Sequence, residues 1–351
     1  MAPQTQTAQQ WLLAKKPTDA PILDGPSATF KLASSVPLPE LSDGQILVKT
    51  LYLSNDPAQR GWISAAIPAD RLYVPPVQVD SPMRARGVAE VVASRAASHK
   101  EGAIVSAGTN WTDYSVQNAK ECPVLPEIPG LGSSHFLGAL GTTGLTAYYG
   151  LVEVVGAKAE DAVVVSGAAG ATGSMVVQIA KKMVGCRRVV GIAGSDDKCR
   201  WVEKLGADVC VNYKSKTFNE DLAKATEGYV EVYFDNVGGE ILDLMLTRMK
   251  THGRIAACGS ISGYNSESTP YGIKNWFEVI TNRIEIKGFI VIDYLSKMQE
   301  VQQKFVKAIK DGQLSVGDDN ETVVQTAFED IPKTWMKLFE GGNTGKLITK
   351  L

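Results

Sequence analysis

The chain has 351 residues, a formal net charge of −2, and 44% hydrophobic against 21% charged residues; a single core stops growing near ~250–300 residues, so two domains are expected. With 36 basic and 38 acidic residues there is no positive excess to serve a nucleic-acid partner, and five cysteines without metal-ligand spacing make no disulfide framework. No apolar stretch approaches the ~18 residues of a membrane helix, and the opening MAPQTQTAQQ lacks the basic start and apolar core of a secretion signal, so a cytoplasmic protein without membrane partners is expected.

Residues 1–135 hold most of the prolines and short apolar runs at Gln45–Leu51, Gly87–Ala93 and Ala103–Ala107, separated by turns such as Ser42-Asp43-Gly44 and Val74-Pro75-Pro76. No long helical period appears. This texture predicts a mostly-β domain, a small barrel.

Over 136–316 the texture changes. Ala162–Ser166 is a continuous apolar run, as in a parallel strand covered on both faces, and Val176, Ala180 and Met183 mark a helix behind it. Strands follow at Arg188–Ala193, Val209–Tyr213, Val230–Asp235, Arg254–Cys258 and Glu285–Val291, with helices at Asp197–Leu205, Glu240–Lys250 and Met298–Lys310. Such alternation predicts right-handed βαβ units and a doubly wound parallel sheet of the Rossmann type. Residues 317–351 return to short strands and a helix, Ile331–Phe339, and are expected to complete the first domain.

The strongest local signal is Gly167-Ala168-Ala169-Gly170-Ala171-Thr172-Gly173, set between a strand and a helix. A dinucleotide site needs that arrangement: a tight turn, close backbone approach to a pyrophosphate, and helix amides facing the anion. Gly170 and Gly173 occupy the last two places of G-x-G-x-x-G, and Ala168 takes the first. An ordinary glycine-rich turn is the competing reading, weighed against the flanking strand and helix. At the end of the second strand, where an NAD site carries a carboxylate, stand Ala193-Gly194-Ser195, with Lys198 and Arg200 following. That favours NADP(H). Asp196 and Asp197 argue the other way unless they serve the next helix's N-terminus, and Lys198 could also be a solvated helix face.

A mostly-β domain ahead of a dinucleotide domain suggests an alcohol-dehydrogenase-like plan, whose zinc enzymes need clustered Cys and His ligands. Here no C-x₂-C pair exists, and the only histidines are His99, His135 and His252. Catalytic zinc is therefore not expected. Without a Lewis acid, reduction of a conjugated C=C is favoured over that of a simple ketone, because one hydrogen-bond donor can hold the enolate.

LYLSNDP (51–57), GLTAYYGL (144–151), GAAGATGS (167–174), GIAGSDDK (191–198), NYK (212–214), YFDNVGGE (233–240), GRIAACGSISGYN (253–265) and GNTGK (342–346) occur in order along almost the whole chain. In these blocks the chain resembles the zinc-free medium-chain dehydrogenase/reductases of the prostaglandin reductase, leukotriene hydroxydehydrogenase and alkenal double-bond reductase type. The resemblance implies a Rossmann domain joined to a GroES-like barrel, and an NADPH-dependent ene-reductase acting on α,β-unsaturated aldehydes or ketones. It also implies a homodimer formed through the nucleotide domains.

Residue by residue, it implies that Gly170, Ala171, Thr172 and Gly173 line the pyrophosphate and that Lys198 meets the 2′-phosphate, with Tyr213 beside it. Asn236, the stretch from Cys258 through Ile261 and Ser262 to Tyr264, the run Phe289-Ile290-Val291, and Asn343 would surround the ribose and nicotinamide. Tyr264 would stabilise the enolate or donate a proton; a phenol, with an ordinary pKa near ~10, stays protonated at neutral pH. Tyr52, Asn55 and Trp62 would line the substrate cleft.

Plainer readings stand beside these: a structural tyrosine in a Ser-Gly-Tyr-Asn turn for Tyr264, ring packing for Tyr213, turn chemistry for Asn236 and Asn343, and core packing for Tyr52 and Trp62. The chain departs from the family at Gly141-Thr142-Thr143-Gly144 and at Pro57-Ala58-Gln59-Arg60, both near the expected cleft, which leaves the preferred substrate open. Quinone or carbonyl reduction on the same scaffold, and an NADPH-binding sensor or structural protein with vestigial catalysis, are the rival functions.

Overall fold

A run without a polar position, such as Ala162–Val165, is stable only where both faces of the strand are covered. In the computed structural model, which describes residues 7–351, all four of its residues are buried. Residues 1–6, which begin the segment read above for a secretion signal, lie outside the described residues. The chain forms two units: one contains the chain up to Leu137 with Glu321–Gly342 and Lys346–Leu351, the other Gly138–Asn320 with Asn343–Gly345.

The second unit is built on a six-stranded, wholly parallel sheet in the order 285–288, 249–257, 230–235, 162–165, 188–193, 209–212. The winding direction reverses beside Ala162–Val165, which pairs with Arg188–Ala193 on one side and Val230–Asp235 on the other. Ligands of open α/β sheets bind at such a reversal, outside the carboxyl ends of the strands. One face packs Val164, Ile192, Leu222, Tyr233, Met245 and Ile255 into a continuous core. The helix Ala171–Gln178 widens into a π turn over Ile179–Val184 and stops at Gly185, whose φ of 79° suits glycine. Met298–Lys310 buries Val301 and Phe305, two members of its predicted apolar stripe, together with Ala308.

Three expected elements differ. The helix expected over Glu240–Lys250 ends at Leu246, because Met249 drops into the core and pairs with Val230 as the start of the next strand. That strand runs Met249–Ala257 rather than Arg254–Cys258; its polar Lys250-Thr251-His252, with His252 at φ 63°, hid it from an apolar-run reading. The strand expected over Glu285–Val291 stops at Gly288. Val291–Lys297 is instead a 3₁₀ segment, anchored by Tyr294 stacked on Tyr149 at 4.5 Å.

The first unit carries an open sheet ordered 321–325, 346–350, 45–54, 87–94, 104–107, with Tyr114–Asn118 also pairing with Gln45–Ser54. Thr7–Leu13 and Phe30–Pro37 form a separate antiparallel pair. Its core holds an aromatic cluster: Phe30, Trp111 and Trp335 pack with ring centroids 5.0 to 6.0 Å apart, Trp335 arriving on the helix Ile331–Glu340. The expected fold class, a Rossmann sheet with a mostly-β companion, is the one this chain forms.

Candidate cofactor and active site

The glycine turn follows from steric need. Gly167 sits at φ 58°, the Gly170 amide donates to the Gly167 carbonyl at 2.9 Å, and the Ala168 amide donates to Ile192 O at 3.0 Å. A Cβ on Gly173 would stand 2.2 Å from Gly167 O and 2.8 Å from Ala168 Cα, so no other residue fits there. Gly170 caps Ala171–Gln178 without a side chain. The amides of Ala171, Thr172 and Gly173 thus open the helix with no intrahelical acceptor, the arrangement that receives a phosphate. Asn343 is brought to the same turn: its Nδ2 donates to Gly345 O at 2.7 Å, and the Gly345 amide donates to Ala169 O at 2.8 Å.

The second strand ends in Ala193-Gly194-Ser195, and Ser195 caps the next helix by accepting the Lys198 amide at 3.2 Å. Gly194 leaves room for Tyr213, since a Cβ there would meet the tyrosine ring at 3.0 Å. Tyr213 is 44% exposed, with Lys214 Nζ 5.9 Å from its ring centroid. Burial, reinforced by the neighbouring Lys214 ammonium, holds the Lys198 amine below its ordinary value. Two ammonium groups near enough to repel, one of them beside a tyrosine, form a surface suited to a dianion. Arg200 is engaged elsewhere, in an exposed ion pair with Asp197, and Asp196 accepts from Asn212 Nδ2 at 2.7 Å. Neither aspartate therefore has to be read as a ribose ligand.

The third group gathers around Asp235, which is 2% exposed. Its Oδ1 accepts from Tyr233 Oη at 2.8 Å, Ser166 Oγ at 3.1 Å, and the amides of Val237 and Gly238 at 3.0 and 2.9 Å. Asn236 ties the same turn to the first strand, its amide donating to Ser166 Oγ and its Nδ2 to Ser166 O at 2.7 Å. Backbone carbonyls of this segment then hold the next loop. Asp235 O accepts the Cys258 and Gly259 amides, Asn236 O accepts Ile261 N, and Val237 O accepts both the amide and the hydroxyl of Ser262. Tyr264 closes that loop, its Oη accepting the Ser260 amide at 3.2 Å. Burial and then the Asp235 carboxylate push the Cys258 thiol up to about 12, so it stays neutral. Phe289 packs edge-on against Phe234 at 6.2 Å over Gly150, where a Cβ would come within 2.4 Å of the Phe289 ring; Ile290 and Val291 follow, half-buried.

Gly170, Lys198, Tyr213, Asn236, Cys258 and Phe289 each lie at or just past the carboxyl end of one of the six parallel strands. The residues of this unit fit a dinucleotide: the turn is held open by the absence of side chains, and positive charge stands one strand away. Asp235 and Ser166 escaped the sequence reading. An acidic residue closing the apolar run Val232-Tyr233-Phe234, at Asp235, was the available signal.

Tyr52, Asn55 and Trp62 belong to the other unit. Asn55 is 1% exposed, and its Nδ2 donates to Thr349 Oγ1 at 3.0 Å, so its side chain serves the sheet. Tyr52 is half-buried and packs on Val88 and Ile348. Trp62 is half-buried, donates to Tyr73 Oη at 3.1 Å and lies under the Arg84 guanidinium. Among the described residues, no group of three or more His, Cys, Asp or Glu side chains could hold a metal ion, and no helix is long and apolar enough to cross a membrane.

Residues 9–125 match the family model described as the N-terminal domain of oxidoreductase, and residues 171–310 that of zinc-binding dehydrogenase. Prostaglandin reductase 1 of Bos taurus is 38% identical, over 98% of this chain and 99% of that protein. The NADPH-dependent curcumin reductase of Escherichia coli (strain K12) is 34% identical, over 100% of this chain and 99% of that protein. Among solved structures, CurA from Vibrio vulnificus in complex with NADPH superposes with a TM-score of 0.85 at 35% identity, covering 97% of this chain and 98% of that one. With near-complete coverage at this identity and the same two-part fold, the chain belongs to the medium-chain dehydrogenase/reductase family of oxidoreductases, in the group of prostaglandin reductase 1 and curcumin reductase.

Proposed function

We propose that this protein is an NADPH-dependent ene-reductase acting on α,β-unsaturated aldehydes and ketones without a metal. The cofactor is NADP(H): the relatives include an NADPH-dependent reductase, and a solved neighbour is complexed with NADPH. One observation carries the reading. The glycine turn, the Lys198–Tyr213 surface and the Tyr264 loop all follow carboxyl ends of one parallel sheet, the edge at which such sheets bind ligands.

When bound, the nicotinamide supplies hydride to the β-carbon of the substrate. The Ala171, Thr172 and Gly173 amides, opened by the Gly170 turn, would hold the pyrophosphate, Lys198 the 2′-phosphate, and Asn236, the Cys258–Tyr264 loop and Phe289 to Val291 the ribose and ring. Orientation of donor and acceptor carbons is the chief source of rate. Tyr264 would donate a hydrogen bond to the oxygen on which enolate charge collects. The Ser260 amide, donating to the same hydroxyl oxygen, polarises that O–H and strengthens it as a donor. The α-carbon then takes its proton from Tyr264 or from water.

The decisive experiment follows NADPH absorbance with enones, enals, quinones and saturated ketones, with EDTA and NADH controls. Enone and enal turnover that is insensitive to EDTA and prefers NADPH is expected. Tyr264→Phe should lower kcat by about 10²-fold, a larger effect than any on NADPH affinity. Turnover of saturated ketones or quinones alone would replace the reading with carbonyl or quinone reduction, and NADPH binding with silence across the panel would favour a sensor.

A cytoplasmic homodimer completes the proposal. The strand Glu285–Gly288 is an open sheet edge with every residue exposed, and Trp276, Phe277 and Ile280 are 54%, 69% and 61% exposed on the preceding segment. Unpaired edges beside apolar surface favour association. Sedimentation should give twice the 37.7 kDa of the chain; a monomer at micromolar concentration would overturn this part.

A further inference from the structure

We infer that Asp235 is a positioning residue of this site, the group on which the register of the Tyr264 loop with the glycine turn depends. The inference rests on the proposed reading of the site and extends it to a residue that touches neither pyrophosphate nor substrate in that reading.

Four donors meet at Asp235 Oδ1, and they come from three directions. Ser166 Oγ belongs to the segment that runs into the glycine turn, Tyr233 Oη rises from within the same strand as Asp235, and the Val237 and Gly238 amides belong to the turn beyond it. Accepting the last two folds residues 235–238 back on the carboxylate and carries Gly238 to φ 66°, where a Cβ would strike Ser260 Oγ at 2.5 Å. That conformation presents the carbonyls of Asp235, Asn236 and Val237 to Cys258, Gly259, Ile261 and Ser262. The amide of Ser260, in the middle of the loop so held, in turn meets the Tyr264 hydroxyl. On the other side, Ser166 Oγ donates to Asp235 and accepts the Asn236 amide, which locks the turn to the first strand.

The two halves of the candidate site, phosphate-binding and proton-donating, are thus joined across the reversal point of the sheet by Asp235 Oδ1, alongside the Asn236 bonds to Ser166. Removing that oxygen would take the shared acceptor from four donors in a buried place and free both loops to shift. A displacement of about 1 Å between reacting groups costs on the order of 10²-fold in rate. The second oxygen takes none of these four bonds. Asparagine, with one amide oxygen in the place of Oδ1, can therefore keep them all, which separates a positioning role from one that needs negative charge.

The test uses the full-length protein and its Asp235→Ala, Asp235→Asn and Ser166→Ala variants. Melting temperature, NADPH dissociation constant by nicotinamide fluorescence, and kcat with a simple aryl enone are read for each. Alanine at 235 is expected to weaken NADPH binding by about tenfold or more and to lower kcat by about 10²-fold, while asparagine restores both to within about threefold. Ser166→Ala should weaken NADPH binding severalfold, and this variant decides the matter if Asp235→Ala does not fold. Wild-type affinity and turnover in the alanine variants, or asparagine as impaired as alanine, would overturn the inference. A wild-type protein that neither binds NADPH nor reduces the enone would instead remove the functional reading beneath it.

Discussion

The turns Gly167–Gly173 and Cys258–Tyr264 lie at carboxyl ends of the same sheet, yet different forces hold them. The first is held by what is missing: Gly173 has no Cβ because the Gly167 carbonyl occupies that space. The second is held by what is present, a set of carbonyls offered by residues 235–237 and fixed in turn by a carboxylate. A sterically held turn tolerates almost no substitution of its own residues. A turn held by hydrogen bonds accepts many side chains but fails when a remote acceptor is lost. The contrast predicts where each half of the site is vulnerable.

The largest effect should come from Gly173→Ala. A Cβ at 2.2 Å from a carbonyl oxygen forces the backbone to move, and overpacking of this kind costs about 1–3 kcal/mol. NADPH binding should be lost while the first unit keeps its near-ultraviolet tryptophan spectrum; retained binding would show that the turn is not sterically held. Lys198→Ala should come next. Losing one charge-assisted contact to phosphate, about 1.5–3 kcal/mol, should raise the NADPH dissociation constant roughly 10- to 100-fold and leave NADH unaffected.

The same lysine carries a pH dependence. Because burial and Lys214 hold its amine below 10.5, phosphate affinity is present at neutral pH and falls as pH climbs through that lowered value. A titration of NADPH against NADH affinity between pH 7 and about 10 tests this, and parallel curves would remove Lys198 from the phosphate site. The smallest effect concerns the second turn. Cys258, pushed up to about 12, should resist iodoacetamide near neutral pH in the folded protein, and rapid labelling there would mean that the loop opens.

Much of this was readable beforehand. Arg188–Ala193, Val230–Asp235 and Met298–Lys310 coincide with the elements expected, because each is a short apolar run or a clean helical stripe. What escaped reading depends on distant partners. The helix Thr142–Tyr148 contains Gly144, a poor helix former where a Cβ would come within 2.9 Å of the Phe305 ring from a helix far along the chain. Met249–Ala257 begins with polar residues that only sheet pairing makes extended. Asn55 was placed near the substrate by the resemblance alone, and that its amide reaches a strand 294 positions away was not legible in the sequence. Asp235 looked like the end of a strand; that four donors converge on one of its oxygens is a fact of tertiary structure.

That long reach from Asn55 to Thr349 also bears on how the protein is made. The strand Lys346–Lys350 lies between Glu321–Gln325 and Gln45–Ser54, and the helix ahead of it brings Trp335 to Phe30 and Trp111. A ribosome therefore delivers most of the first unit early but withholds two of its strands until residues 321–350 emerge. All six strands of the parallel sheet have been made by then. Chains fold from the N-terminus as they are synthesised, and closing so long a loop adds an entropic delay. The unit that begins first is thus the one that finishes last, and in the interval the strand Gln45–Ser54 lacks its partner Lys346–Lys350.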